Sequence, residues 1–507
     1  MAGCQRRKLA TLILVTLICR LAWAASLETG QDEAYHYLYT VYPDWSYFDH
    51  PPMLMVVARL GIAACGGWLH PLSIRLGFIL LFAGSTWVMY QWTRRFYGER
   101  AGFYAALALN LSAYYTAAAG AFVLPDGPLL FFALLTMWAV SEALITSPGK
   151  LLPWVWVGLA CAGAMLSKYH SVFLPLGTLA YVLATPSARG SLRTPGPYLA
   201  AAIGFLGLVP VLIWNSQHDW ASFAFQSSRA VGLQFRPEGL ALMLFGPMGF
   251  LFPWIWYSFA LILVTRIPRL RTAMGIDRLL LFMALLPLVL FTAVACIRPI
   301  LPHWPLFGFL PLYPLVGAAW AEKSLSQPVV VRRWIIFMST ALILIAGTFL
   351  TQARFGLVQF PFRDPCIEIS GWESVGEELR TRGIVDRPDT FLFTDRWYES
   401  GELAFAVRNR IPVTCYKKGD ARGFAFWSRP EDWLHKDGIL IDSDRRPDLI
   451  EEYRPYFREV EALPSIEMKR GGRLFRVLNA YLCRDQIRPY PYTYVRKSPE
   501  NFEQRLP

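Results

Sequence analysis

Between residues 30 and 53 the chain reads Gly30-Gln31-Asp32-Glu33-Ala34-Tyr35-His36, and then Asp44-Trp45-Ser46-Tyr47-Phe48-Asp49-His50-Pro51-Pro52-Met53. Four carboxylates and two histidines fall in this one short segment. Carboxylates and imidazoles accept and donate protons, and close to lipid such groups cost enough that they mark function. Asp32 and His36 are four residues apart, so a helix places them on one face. Pro51-Pro52 imposes an extended corner, which holds Asp49 and His50 on a stiff turn before the next helix. A single Asp-Glu pair is equally well read as a solvated helix start; the whole constellation favours chemistry.

Further polar residues stand where apolar runs end. Asp126 lies in Phe122-Val123-Leu124-Pro125-Asp126-Gly127-Pro128, and Lys168 in Ser167-Lys168-Tyr169-His170. Arg298 and His303 lie in Ile297-Arg298-Pro299-Ile300-Leu301-Pro302-His303-Trp304-Pro305. Taken singly, Lys168 reads as a snorkelling interfacial lysine, Asp126 as a turn residue before Pro128, and His303 as a packed interfacial imidazole. Together they are expected on the same side as the 30–53 segment. No C-x-x-C or H-E-x-x-H spacing occurs, so no metal centre is expected, although the carboxylates leave a divalent cation open.

The elements that must position these residues are membrane-spanning helices. Of 507 residues, 54% are hydrophobic and 17% charged, with mean hydropathy +0.33; soluble domains carry about 25% charged residues. The abundant Trp, Tyr and Phe suit bilayer interfaces. Apolar runs near 9–25, 71–92, 101–121, 127–146, 151–167, 170–184, 197–214, 239–264, 279–297, 303–321 and 334–351 predict about eleven crossings. The net charge of +12 is a topology signal rather than a nucleic-acid footprint. The alternate connections 1–8, 93–100, 147–150, 185–196, 265–278 and 322–333 hold sixteen Lys and Arg, against six at the opposite ends. The positive-inside rule then places the N-terminus in the cytoplasm. The segment 26–70 becomes the first extracytoplasmic loop, with interfacial helices expected at 32–42 and 53–65.

An odd number of crossings puts residues 352–507 outside. That region alternates helix-like stretches (372–383, 397–408, 446–455) with strand-like ones (390–394, 411–415, 438–442, 473–478), which predicts a small α/β domain. It has no Gly-rich phosphate loop. Cys366, Cys415 and Cys483 fall there, and an outside location would permit one disulfide of unspecified pairing. At the other end, Arg6-Arg7-Lys8 followed by an apolar run to Ala22-Trp23-Ala24 has the outline of a signal peptide. Arg20 interrupts that run, and the loop that follows needs a helix beside it, so a retained span is expected. The expected architecture is a polytopic α-helical membrane region, 1–351, followed by an extracytoplasmic α/β domain, 352–507.

The Asp-Glu pair after the first span, followed by Tyr47-Phe48-Asp49-His50-Pro51-Pro52-Met53, resembles glycosyltransferase family 39 and its bacterial relatives. These include protein O-mannosyltransferases and the enzymes that add aminoarabinose or galacturonic acid to lipid A. The resemblance covers roughly residues 1–350 and implies a GT-C fold with a catalytic first extracytoplasmic loop. It implies that Asp32 is the catalytic aspartate and Glu33 its neighbour. It places Asp49-His50 where lipid A aminoarabinose transferases carry Glu-Lys, the lysine being implied to hold the lipid phosphate. His50 departs from that pattern, since its charge depends on its surroundings. Asp126 corresponds to an acidic residue before the fourth span, Lys168 to the lysine of a Thr-Lys-Gly motif, and His303 to a position held by Tyr in the lipid A enzymes.

The expected reaction is an inverting sugar transfer from a polyprenyl-phosphate donor, outside the bacterial inner membrane. Asp32 takes or orients the acceptor proton, while Lys168, Arg298 and His50 stabilise the departing phosphate. Neither cofactor, metal nor nucleic acid is expected. The acceptor is left open among lipid A and other envelope lipids, glycans and proteins. Two other classes remain: a transporter or lipid flippase, which predicts inverted repeats that are not evident, and a non-catalytic envelope scaffold, which tolerates loss of Asp32.

Overall fold

The apolar run at the N-terminus forms one continuous helix, α1 (Ala2–Ser26). Arg20 is tolerated in it because its guanidinium turns inward, donating to Asn110 Oδ1 (3.1 Å) and Thr116 Oγ1 (3.3 Å) and lying 4.1 Å from the Phe82 ring centroid. The computed structural model describes residues 2–228, 235–273, 275–360, 364–443 and 449–493.

After α1 come two short helices, α2 (Gln31–Val41) and α3 (Met53–Ala64), in the predicted first loop. The remaining helices of this region are α4 (Pro71–Tyr97), α5 (Glu99–Asn110), α6 (Asp126–Ser141), α7 (Leu151–Met165), α8 (Phe173–Ala184), α9 (Gly196–Leu206), α10 (Val209–Gln217), α11 (Ala221–Ser228), α12 (Glu238–Leu251), α13 (Pro253–Arg266), α14 (Gly275–Ala295), α15 (Tyr313–Ser326) and α16 (Pro328–Phe355). Among the described residues, six continuous helical stretches are long and apolar enough to cross a membrane, and up to eight if each of two bent pairs is one span. The protein is therefore a multi-pass membrane protein.

The expected span 197–214 is one of the bent pairs, α9 and α10, and two further expected spans are broken. The run 239–264 is two helices, α12 and α13, parted at Phe252, whose φ is +66°. The run 101–121 stops at Asn110 and resumes as a π-helical turn, Tyr115–Ala119. Buried polar groups hold that break: Asn110 Nδ2 donates to Thr86 Oγ1 (3.0 Å), and Ser112 Oγ shares a hydrogen bond with the Tyr313 hydroxyl (2.5 Å). Such π turns gather at functional sites.

The C-terminal region carries α17 (Trp372–Thr381), β1 (Thr390–Thr394), α18 (Trp397–Ala406), β2 (Val413–Cys415), α19 (Phe424–Trp427), β3 (Asp437–Asp442), α20 (Leu449–Tyr453), β4 (Phe457–Arg470) and β5 (Arg473–Gln486). The sheet order is β2-β1-β3-β5-β4. Strands β2, β1 and β3 are parallel, and the β4–β5 hairpin joins antiparallel through β5. The hairpin turns at Gly471-Gly472, both with positive φ (57° and 77°), as a tight two-residue connection requires. The expected α/β domain is present. Strand β4 was not anticipated, and β5 is longer than expected. All eight cysteines are free, so the permitted disulfide is not formed.

The two regions meet through the first loop. Helix α2 was expected to lie in the interface, but it is buried from Glu33 to Tyr39 and packs against α18. A Cβ at Gly401 of α18 would stand 2.7 Å from the Tyr35 backbone nitrogen, so the two helices touch backbone to backbone there. Glu28 caps α17, accepting from the backbone nitrogens of Gly371 (3.1 Å) and Glu373 (3.0 Å). Thr29 donates to Glu402 Oε2 of α18 (2.9 Å). The first loop is thus pressed between the helical body and the C-terminal domain.

Candidate active site

Glu33 and Asp32 open α2 side by side and have opposite surroundings. Glu33 is buried, and Arg75, itself fully buried in α4, reaches both its oxygens (2.8 and 2.6 Å). The Gly30 nitrogen donates to Glu33 Oε2 (2.9 Å) and the Val123 nitrogen to Oε1 (3.0 Å). A carboxylate offers about four lone-pair sites, and all are filled. Arg75 also donates to the carbonyls of Ala24 (2.7 Å), Leu27 (3.0 Å) and Glu28 (2.7 Å). Glu33, expected beside the catalytic aspartate as part of the site, ties α2 to α4 through Arg75. Asp32 is exposed and has no partner among the described residues.

Asp49 is the hub of the first loop. Tyr35 donates to its Oδ1 (3.1 Å), and Tyr39 makes a shorter hydrogen bond to the same atom. From the C-terminal domain, Arg422 Nη1 reaches Oδ2 at 3.0 Å, and its guanidinium lies 4.1 Å from the Trp397 ring centroid. Burial pushes the Asp49 carboxyl up, but the Arg422 guanidinium and the Tyr39 hydroxyl outweigh it and hold the group below the usual range. Burial lowers the His50 imidazole to about 3, against the pull of Asp49. His36 and His50 face each other with ring centroids 5.3 Å apart.

Deeper, a small polar cleft is lined by Tyr114, Asp126, Lys168, His170 and His303 among others. Asp126 begins α6, and Lys168 Nζ bridges both its oxygens at 2.9 Å. Tyr114, set just before the π turn, donates to Asp126 Oδ1 (2.7 Å) and stacks on His303. The two clusters are neighbours: Lys168 bears on the charge of His50, and the Met53 nitrogen donates to the Leu166 carbonyl (2.9 Å) beside Lys168.

The structure therefore brings Asp49, His50, Asp126, Lys168 and His303 to one end of the helical body, the end covered by the C-terminal domain. Arg298 is half-buried after α14 and does not line the cavity. Sequence reading missed Arg422, Tyr114 and His170 as site residues. His170 adjoins Lys168 and Tyr114 precedes a polar break, which are readable signals; Arg422 is 373 residues from Asp49 and gives none.

Residues 49–214 match the family described as dolichyl-phosphate-mannose-protein mannosyltransferase. The match begins at Asp49 and includes Asp126 and Lys168. The chain is similar to ArnT from Cupriavidus metallidurans in the apo state, with TM-score 0.59 and 16% identity over 93% of this chain and 97% of that one. It is likewise similar to that protein bound to undecaprenyl phosphate, with TM-score 0.60 and 17% identity over the same shares. At this identity the likeness shows a common fold. No curated protein matches the sequence. The family match from Asp49 onward supports the resemblance read from the first loop, and the shared fold bears out a helical membrane region followed by a small C-terminal sheet domain.

Proposed function

We propose that the protein is a membrane glycosyltransferase that moves a sugar from a polyprenyl-phosphate donor to an envelope acceptor on the outer face of the bacterial inner membrane. The observation that carries this reading is the paired arrangement of Asp126–Lys168 and Asp49–Arg422 at the domain-covered end of the helical body. A lipid-linked phosphate sits at that depth, its tail among helices and its charge beside cations. The likeness in fold to a protein solved with undecaprenyl phosphate supports the donor class.

Lys168 is the cation we assign to the phosphate, with Arg422 behind it. The acceptor oxygen attacks the anomeric carbon, the bond from that carbon to the phosphate oxygen breaks, and the lipid phosphate leaves into a field of fixed positive charge. The acceptor proton goes to a carboxylate. Of the first-loop carboxylates, Glu33 is filled, Asp49 is held by Arg422 and two tyrosines, and Asp44 accepts from the Trp45 nitrogen (2.7 Å) and Trp214 Nε1 (3.1 Å). Asp32 alone has neither oxygen hydrogen-bonded among the described residues; it lies one helical turn from His36, and we assign it as the base.

The test compares envelope lipids and glycans by mass spectrometry from cells carrying wild-type protein, Asp32→Asn or no copy. The expected result is loss of one sugar from one envelope molecule, with build-up of the polyprenyl-phosphate sugar, in the last two. Three identical profiles would sink the reading.

A further inference from the structure

Three donor-bearing residues of the first loop converge. One nitrogen from His36, one from His50 and one Asp49 carboxylate oxygen all lie within 4.8 Å of one another. His36 Nδ1 stands 2.9 Å from the Val123 carbonyl oxygen. A carbonyl only accepts, so Nδ1 carries the proton and Nε2 presents a lone pair. A histidine whose far nitrogen is fixed by a carbonyl is the arrangement that orients metal ligands. His50 Nδ1 is buried and finds no hydrogen-bond partner, and an orphaned buried polar atom costs about 1–3 kcal/mol. Asp49 has three of about four lone-pair sites occupied, by Tyr35, Tyr39 and Arg422, which leaves one on Oδ2.

We propose that His36, His50 and Asp49 hold a divalent first-row transition-metal cation, with an open position facing an anionic oxygen. Two imidazoles and one carboxylate are the ligand set of zinc sites that keep a fourth position free. At bond lengths of about 2.0 Å, tetrahedral ligand atoms lie about 3.3 Å apart. From a present spacing of at most 4.8 Å, the site must therefore close by up to about 1.5 Å on binding. Arg422 already balances the Asp49 charge, so the metal adds two uncompensated positive charges and calls for an anion. Only the identity of that anion, the donor phosphate, rests on the function proposed above; the metal rests on the donor atoms. A bound cation would supply fixed positive charge beside Lys168.

The test uses the full chain purified in detergent on a histidine-free tag, stripped with EDTA and titrated with Co²⁺, followed by displacement with Zn²⁺. One equivalent is expected, with visible ligand-field absorption of low-symmetry cobalt. His36→Asn keeps a donor toward the Val123 carbonyl and deletes Nε2; His50→Gln deletes Nδ1. Each should weaken binding at least about 100-fold, beyond the 10–100-fold of outer-shell changes, while His218→Asn binds as wild type. Zn²⁺ should raise the Tm of wild type and not of the two ligand variants. Binding well below one equivalent, or wild-type affinity in both variants, would overturn the site. Stoichiometric binding in a protein that transfers no sugar would keep the site and remove the glycosyltransferase reading.

Discussion

Arg422 Nη1 lies 3.0 Å from Asp49 Oδ2, so a residue of the C-terminal domain completes a charge cluster of the first loop. The pair is nearly dry, with side chains 17% and 3% exposed. Removing charges from water is expensive, and such a pair is worth most as a device for fixing geometry. The Gly423 nitrogen beside it donates to the Tyr35 hydroxyl (3.0 Å), which in turn holds Asp49. The C-terminal domain is therefore part of the site's framework.

Arg422→Ala leaves the Asp49 carboxylate buried without its cation. Breaking a buried pair from one side costs about 3–5 kcal/mol, and sugar transfer should fall with it. Arg422→Lys keeps the charge but loses the planar contact with Trp397, so it should recover only part of both. Denaturation curves and transfer rates on the purified variants check this. A wild-type Tm in Arg422→Ala would show that the pair does not hold the domain.

Gly401 tests the docking itself. A Cβ there would sit 2.7 Å from the Tyr35 nitrogen and 2.8 Å from its Cα, closer than atoms pack, and neither backbone atom can yield alone. Gly401→Val should loosen α18 from α2, with a cost of about 1–3 kcal/mol from overpacking. Limited proteolysis would then cut between the helical body and the domain faster than in wild type, and transfer should drop even though no polar site residue has changed.

Much of this was legible in the sequence, for reasons that name its limits. The first loop was readable because Pro51-Pro52 and the flanking helix starts are local signals, and the long spans because apolar runs of bilayer length have few other fates. The break at Phe252 was not, since a phenylalanine at positive φ is set by its packing and not by residue type. Strand β4 was hidden because its charges alternate poorly and Pro464 sits in its middle, where the register with β5 shifts between Leu463 and Ile466; proline is tolerated there because the strand is at the sheet edge. The pairing of Glu33 with Arg75 was not legible, because nothing local signals a partner 42 residues away.

Glu402 gives a pH dependence of defined sign. Burial pushes its carboxyl well above the ordinary value of 4.5, and the nearby Glu28 and Glu33 charges add to that. The folded protein therefore holds this proton more tightly than the unfolded chain. The stability it supplies is full below about pH 4.5 and is lost as pH rises through the raised folded value. Glu402→Gln mimics the protonated form. Its Tm should match wild type near pH 4.5 and exceed it at pH 8. Parallel curves for the two proteins across that range would remove Glu402 as the titrating group.

Lys168 and Asp126 separate stability from catalysis. Lys168→Ala should cut kcat/KM about 10²–10³-fold, as loss of one charge-stabilising donor does, and should also lower Tm by stranding Asp126. The double variant Lys168→Ala/Asp126→Asn removes both charges together. Its Tm should recover while kcat/KM stays low. Recovery of both, measured with a polyprenyl-phosphate sugar, would mean that Lys168 only neutralises Asp126.

The last prediction sets two adjacent residues against each other. Asp32 is exposed, while Glu33 is 2% exposed and its oxygens are saturated. Asp32→Asn should leave Tm within about 0.5 kcal/mol equivalent of wild type, as surface changes do, and lower kcat about 10²–10⁴-fold, the range of a lost general base. Glu33→Gln should do the reverse in order of cause. Arg75 stays buried and charged without its counter-ion, so about 3–5 kcal/mol of stability is lost, and whatever activity remains at low temperature keeps a near-normal kcat. If Asp32→Asn also melted early, its effect on transfer would be structural. If Glu33→Gln were stable and inactive, the base would be Glu33, and the clamp with Arg75 would have to open during turnover.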